Sequence, residues 1–251
     1  MPTSDIYEAV KKATVAVIAT YQNALPQRPF TILGSGFCID AEGIIITCDH
    51  VFKGFFYPGQ GNATRGGPFR MMAPAAMFFG GVEGKEIVMH SAGIHNAVTI
   101  NGFDLCAAKL SKHEAFPDGY PVLPIADYGE LHEMMEIATC GYPLGEILQD
   151  QLGTVTSSFT KGMISSIIPA QGVSVQHLQG FQLDLTATNG NSGGPVFSLH
   201  TGKVFGVLQG GAMHPATGHA VQGLTKAEPV YPLFADDVLD RLRQRPILGQ
   251  L

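Results

Sequence analysis

The chain has 251 residues, which suits one large domain or two small lobes. Hydrophobic residues make up 45%, enough for a sizeable core, while charged residues are 14%, well below the roughly 25% of an average soluble domain. The formal net charge of −6, without any basic run interleaved with aromatics, argues against a nucleic-acid binder, and no apolar stretch approaches the roughly 20 residues that span a bilayer.

At the N-terminus, Met1-Pro2-Thr3-Ser4-Asp5 has no basic region followed by an apolar core, so the expected location is cytoplasmic. Residues 5–12 carry apolar groups at helical spacing behind a Ser4 or Asp5 cap, which predicts a helix. Thr14-Val15-Ala16-Val17-Ile18 reads as a strand. Gly36-Phe37-Cys38-Ile39 and Ile44-Ile45-Ile46-Thr47 flank the turn 40–43 and read as a hairpin running into Cys48-Asp49-His50-Val51. Residues 54–84, rich in Gly, Pro, Met and Phe, fit neither period and read as a long loop. Further strands are expected at 86–89, 105–110, 135–140, 152–157, 163–168, 173–177, 180–185, 195–199 and 203–208, with a late helix at 236–242. Many short strands joined by turns suggest an antiparallel barrel or sandwich.

Cys38, Cys48, Cys106 and Cys140 form no Cys-x-x-Cys pair and are expected to be reduced and mostly buried. Cys38 and Cys48 share the predicted hairpin, but its register does not set them opposite each other. No metal site or cofactor is expected: His90 with His95 and His214 with His219 lack a zinc spacing, 132–136 fails the H-E-x-x-H pattern, and no phosphate-binding or dinucleotide fingerprint appears.

The chemistry concentrates around Ser192. A serine hydroxyl needs a base, the base needs a partner to fix its tautomer, and the developing oxyanion needs donors. In Gly190-Asn191-Ser192-Gly193-Gly194-Pro195 the glycines leave room for a substrate backbone, and Gly190 can turn its N–H beside that of Ser192. The segment also satisfies G-x-S-x-G, the nucleophile elbow of α/β-hydrolases. That elbow opens a helix, whereas Pro195 begins a strand-like run, and the elbow needs an acid and then a His downstream. The last His is His219, ahead of Asp236, so the order fails unless Glu228 or an upstream acid intervenes. The order His50, Asp104, Ser192 fits instead: His50 follows one apolar strand and Asp104 precedes another.

Gly34-Ser35-Gly36-Phe37 through His50-Val51, Phe103-Asp104-Leu105-Cys106-Ala107 and the Ser192 segment, with Gly141-Tyr142-Pro143-Leu144-Gly145 and Gly162-Met163-Ile164-Ser165-Ser166 between them, resemble the trypsin/chymotrypsin-like serine proteases and, within them, the HtrA (Deg) branch. The likeness covers roughly residues 5–240 in the family's order. It implies an all-β fold of two packed six-stranded antiparallel barrels with short N- and C-terminal helices. These make one protease domain over 1–251, with barrels at about 13–115 and 130–232. It implies a serine endopeptidase acting on protein or peptide substrates through an acyl-enzyme. His50 is then the base, Asp104 its orienting carboxylate and Ser192 the nucleophile, with the N–H groups of Gly190 and Ser192 as oxyanion hole. By the same analogy Thr186 lies near the base of the specificity pocket and, being uncharged, favours small or medium apolar side chains. Gln209, Gly210 and Gly211 flank a substrate bound as an added strand. Asn191 stands where zymogens carry an Asp, so activation by N-terminal cleavage is not expected. The tail after the late helix is too short for the branch's usual PDZ domain. Two other readings compete: a latent protease-fold binding module with a regulatory protein partner engaged through loop 54–84, and an esterase using the same three residues.

Overall fold

The computed structural model describes residues 3–25, 28–56, 71–144, 155–216, 220–234 and 238–244. The first helix, α1 (Thr3–Ala13), buries Ile6, Val10 and Ala13 on one face, and Glu8 pairs with Lys12 one turn on across the exposed side at 2.7 Å. The Thr14 hydroxyl donates to the Val10 carbonyl at its end, and the chain passes directly into a strand.

Among the described residues, six strands form the first barrel: β1 (Thr14–Leu25), β2 (Arg28–Asp40), β3 (Ile44–Thr47), β4 (Met71–Glu83), β5 (Glu86–Thr99) and β6 (Cys106–Leu110). They pair in the order β1-β2-β3-β6-β5-β4 and close from β4 back to β1. The second barrel comprises β7 (Glu136–Gly141), β8 (Ser158–Ile168), β9 (Gly180–Leu183), β10 (Pro195–Ser198), β11 (Val204–Met213) and β12 (Ala220–Pro229). Its order, β7-β8-β9-β12-β11-β10, repeats that of the first and closes from β10 to β7. Every pair between strands is antiparallel, and closure leaves no open sheet edge. The expected all-β pair of six-stranded barrels is therefore present. A short helix α2 (Asp49–Phe56) follows β3, and α3 (Val238–Gln244) lies near the C-terminus.

Several expectations change. The long loop predicted over 54–84 is not one loop: residues 54–56 finish α2, 57–70 lie outside the described residues, and Met71–Glu83 is β4. Two features hide that strand from a period count. Ala75, Ala76, Met77 and Phe78 are all buried without alternation, and the register shifts between Phe79 and Gly81. The strand expected at 173–177 is instead a 3-10 turn at Val175–His177, because β8 and β9 already pair across it through Ile168 and Gly180. Of the strand expected at 152–157, residues 152–154 lie outside the described residues. Residues 155–157 are not strand, and Val155 packs in a cluster with Ala16, Ile18 and Tyr142. The strand β12 and the helix α2 had no counterpart in the sequence reading.

All four cysteines are free and buried. No helix among the described residues is long and apolar enough to cross a membrane.

Candidate active site

Three loops meet where the barrels touch. The first starts at β3, whose four residues are all buried, and gives way to α2 at Asp49. An Asp49–Lys53 ion pair at 2.6 Å braces the first turn, where His50 projects with its side chain 46% exposed. The second is the tight connection from β5 to β6. Phe103 N–H donates to Ile100 O at 3.2 Å, Ile100 N–H to Leu105 O at 3.0 Å, and Gly102 takes φ 83° between them. Asp104 is thereby held at the mouth of β6.

The Asp104 carboxylate accepts two bonds from one residue: the His50 N–H at Oδ1, 2.9 Å, and the ring Nδ1 at Oδ2, 2.6 Å. A carboxylate can only accept here, so the ring proton sits on Nδ1 and Nε2 is left as an acceptor. Burial pushes the Asp104 carboxyl up, but the hydrogen bonds and charge of His50 and a bond from the Gln209 side chain outweigh it and hold the group below the usual carboxylate range.

The third loop is 188–194. Asn191 N–H donates to Thr188 O at 3.1 Å, closing a turn with Gly190 at its third position, φ 96°, the sign a type II turn requires there. A side chain at Gly190 would run into the Tyr142 carbonyl, and one at Gly193 (φ 90°) into the Ser35 carbonyl and the Thr47 hydroxyl. The Asn189 carbonyl accepts the Leu144 N–H at 2.7 Å. In a trans peptide the Gly190 N–H then points the opposite way from that carbonyl. Among the described residues neither the Gly190 nor the Ser192 N–H donates to a protein acceptor.

Ser35 and Thr47, which the sequence reading left without a role, form the frame around this loop. Ser35 N–H donates to Ser192 O at 2.7 Å, and its hydroxyl donates to Gly190 O at 2.6 Å while accepting the Tyr142 N–H at 2.9 Å. The Thr47 hydroxyl donates to Ser35 O at 2.6 Å. The only signal for them in the sequence was Ser35 between two glycines, where backbones must come close.

The Ser192 hydroxyl donates to the Gln209 carbonyl at 2.9 Å. Among the described residues no hydrogen bond joins it to His50. Gln209 therefore meets Ser192 through its main chain. Gly210 follows with φ 151°, and a side chain built there would stand 3.9 Å from Ser192 Oγ. Gly210 and Gly211 pair with Lys226 and Thr225. Thr186 is exposed on the loop leaving β9, and among the described residues no hydrogen bond joins it to Ser192. Cys48, His50 and Asp104 present donor atoms within 4.8 Å of one another. Burial first, then the Asp104 charge, pushes the Cys48 thiol up, and it donates to the Leu208 carbonyl, so it is a neutral packing group.

The family model for the trypsin-like peptidase domain matches residues 34–207. No curated protein matches the chain in sequence. Among solved structures, the HtrA-type protease AlgW with a decapeptide is 16% identical with a TM-score of 0.62, over 96% of this chain and 69% of that one. AlgW with a tripeptide is 17% identical at the same TM-score, over 97% and 64%. Deg5 is 18% identical with a TM-score of 0.59, over 92% and 90%. At these identities the likeness is one of fold. The paired barrels, the matched segment from Gly34 to Val207 and the order of His50, Asp104 and Ser192 within it agree: the chain belongs to the trypsin-like peptidase family.

Proposed function

We propose that this protein is a serine endopeptidase that cleaves peptide bonds through His50, Asp104 and Ser192. The observation that carries the reading is the two-point hold of Asp104 on His50, which leaves Nε2 free as a base beside the loop that bears Ser192. Rotation of the Ser192 hydroxyl from Gln209 O to His50 Nε2 arms the nucleophile. His50 takes the proton as Ser192 attacks the scissile carbonyl, and the oxyanion is received by the N–H groups of Gly190 and Ser192. The imidazolium, steadied by Asp104, protonates the leaving amine. Water then attacks the acyl-enzyme by the reverse proton path.

The substrate lies as an added strand along Gln209, Gly210 and Gly211. Its side chain enters a pocket whose base is near the uncharged Thr186, which favours small or medium apolar groups. Peptides occupy the AlgW structures, which supports peptide as the substrate class. The neutral Asn191 cannot form the ion pair of zymogen activation, so cleavage of the N-terminus is not the trigger. Four free, buried thiols fit a reducing, intracellular compartment.

The test is reaction with a fluorophosphonate probe and degradation of unfolded casein. Both are expected in the wild type and lost, by a factor of about 10⁴ or more, in Ser192→Ala. Clean protein that neither labels nor cleaves would sink the reading.

One observation favours a second reading, a resting form awaiting a regulatory protein: the Ser192 hydroxyl is committed to the Gln209 carbonyl. The loop 54–84 once assigned to such a partner reduces to residues 57–70, outside the described residues. Steady casein turnover by the protein alone would rule this form out.

A further inference from the structure

Beside His50 and Asp104 stands a third donor that the proton path does not use. Cys48 leaves β3, His50 lies in the first turn of α2, and Asp104 sits at the mouth of β6. Together they bring a sulfur, a ring nitrogen and a carboxylate oxygen within 4.8 Å of one another. No spacing in the sequence announces the set, because Asp104 is 54 residues beyond His50. Thiolate, imidazole and carboxylate are the ligand types of zinc-class ions, and three protein ligands with one open position is a usual number.

We propose that Cys48, His50 and Asp104 form an inhibitory site for a zinc-class divalent cation, which switches the protease off by taking Nδ1 of His50. The inhibition rests on the reading of His50, Asp104 and Ser192 given above, whereas the binding does not.

The charges favour it. The Asp104 carboxylate and a Cys48 thiolate cancel the two charges of the ion, and the neutral ring adds none, so the filled site is neutral where Cys48 is wholly buried. At rest burial keeps the thiol protonated, so the ion must displace that proton. The thiol donates to the Leu208 carbonyl at 3.3 Å, but that carbonyl also accepts the Gly193 N–H at 2.8 Å and stays satisfied when the sulfur turns away. Asp104 likewise keeps the His50 N–H on Oδ1 at 2.9 Å and offers Oδ2. A tetrahedral ion with bonds of about 2.0–2.3 Å spaces its ligands by roughly 3.3–3.6 Å. Nδ1 and Oδ2, now 2.6 Å apart, must open, and the sulfur must close in, each by on the order of 1 Å. The His50 side chain is 46% exposed, which gives it room to move and the ion a way in.

Binding rearranges two protons. The Cys48 proton leaves to solvent. The ring proton yields Nδ1 to the ion and settles on Nε2, the atom that must be bare to accept the Ser192 proton. One proton is released per ion, and Ser192 loses its base.

Cadmium bound to a thiolate gives a charge-transfer absorption in the ultraviolet, which reports sulfur ligation without turnover. In the wild type this band is expected to saturate at one equivalent, with affinity growing about tenfold per pH unit just above neutrality. Cys48→Ala is expected to lose the band while labelling with the fluorophosphonate probe as the wild type does in the absence of metal. His50→Ala keeps the sulfur and is expected to weaken cadmium binding by at least about tenfold. Zinc is expected to block labelling and casein cleavage by the wild type, EDTA to restore both, and Cys48→Ala to need at least about ten times more zinc. A Cys48-dependent band in a protein that neither labels nor cleaves would defeat the protease reading and uphold the binding. Equal cadmium affinity in the wild type and either variant would overturn the site, and undiminished labelling with the band saturated would overturn the inhibition.

Discussion

His50 receives its orientation from a single residue through two bonds, and that economy makes Asp104 the most informative side chain to change. Asparagine would fit the same space, but its amide can turn an N–H toward the ring where a carboxylate only accepts. The imidazole would then lose the tautomer that leaves Nε2 able to accept a proton. Asp104→Asn is expected to slow fluorophosphonate labelling of Ser192 by about 10⁴-fold with little change in Tm. A rate within tenfold of wild type would show that Asp104 does not set the tautomer. Gly190 and Gly193 act on the same small scale. Each is glycine because its positive φ and the carbonyl beside it leave no space for a Cβ, and together they shape the turn that turns the Gly190 N–H away from Leu144.

At the scale of elements, β4 is the strand whose sequence least resembles one. It has Pro74, two consecutive glycines and a run of buried residues, yet it closes the first barrel by pairing with both β1 and β5. Phe78 anchors it: the fully buried ring packs on Phe116 at 5.1 Å and on Tyr120 at 5.2 Å. Emptying that volume leaves a cavity that neighbouring rings cannot fill. Phe78→Ala is expected to cost about 3–5 kcal/mol in urea unfolding, where a loss under about 1 kcal/mol would mean that the aromatic cluster collapses around the gap. The β2 residue Ser35 joins the first barrel to the 188–194 loop and to Tyr142, so closing this barrel also fixes the backbone of Gly190 and Ser192.

At the scale of the whole molecule, the terminal helices act as reciprocal straps. The helix α1 precedes the first barrel, yet Tyr7 meets Phe159 of β8 at 5.1 Å, and Ile6 fills the space above Gly202. The helix α3 follows the second barrel, yet Arg243 returns to Asp40 of β2 at 2.7 Å. Global stability should carry the signature of Glu228. Its folded-state value, about 7, lies above the ordinary 4.5, so the folded state binds more protons between them and stability falls as pH rises through that window. The group is partly exposed, and solvent screening reduces the effect to about 1–2 kcal/mol. Glu228→Gln is expected to melt with the wild type at pH 4.5 and about 3 °C above it at pH 8. A constant difference across that range would refute the linkage.

Much of this protein is legible without its structure. The β-rich composition, the hairpin at 36–47 and the three segments bearing His50, Asp104 and Ser192 are local patterns, each complete within about a dozen residues. Local chemistry was also enough to reject the α/β-hydrolase order. What tertiary structure decided depends on residues far apart in the chain. The strand β4 is a strand because two neighbours hydrogen-bond to it, not because it alternates. The 173–177 segment alternates, yet it is a turn because β8 and β9 pair around it. Ser35 acquires its role from a loop more than 150 residues away. Glu228, met first as a candidate acid for a rejected fold, has its carboxyl pushed up by burial in the second barrel and by the Asp104 charge, which belongs to the first. Burial and the reach of one charge to another are properties of the packed barrels, and no window of the sequence contains them.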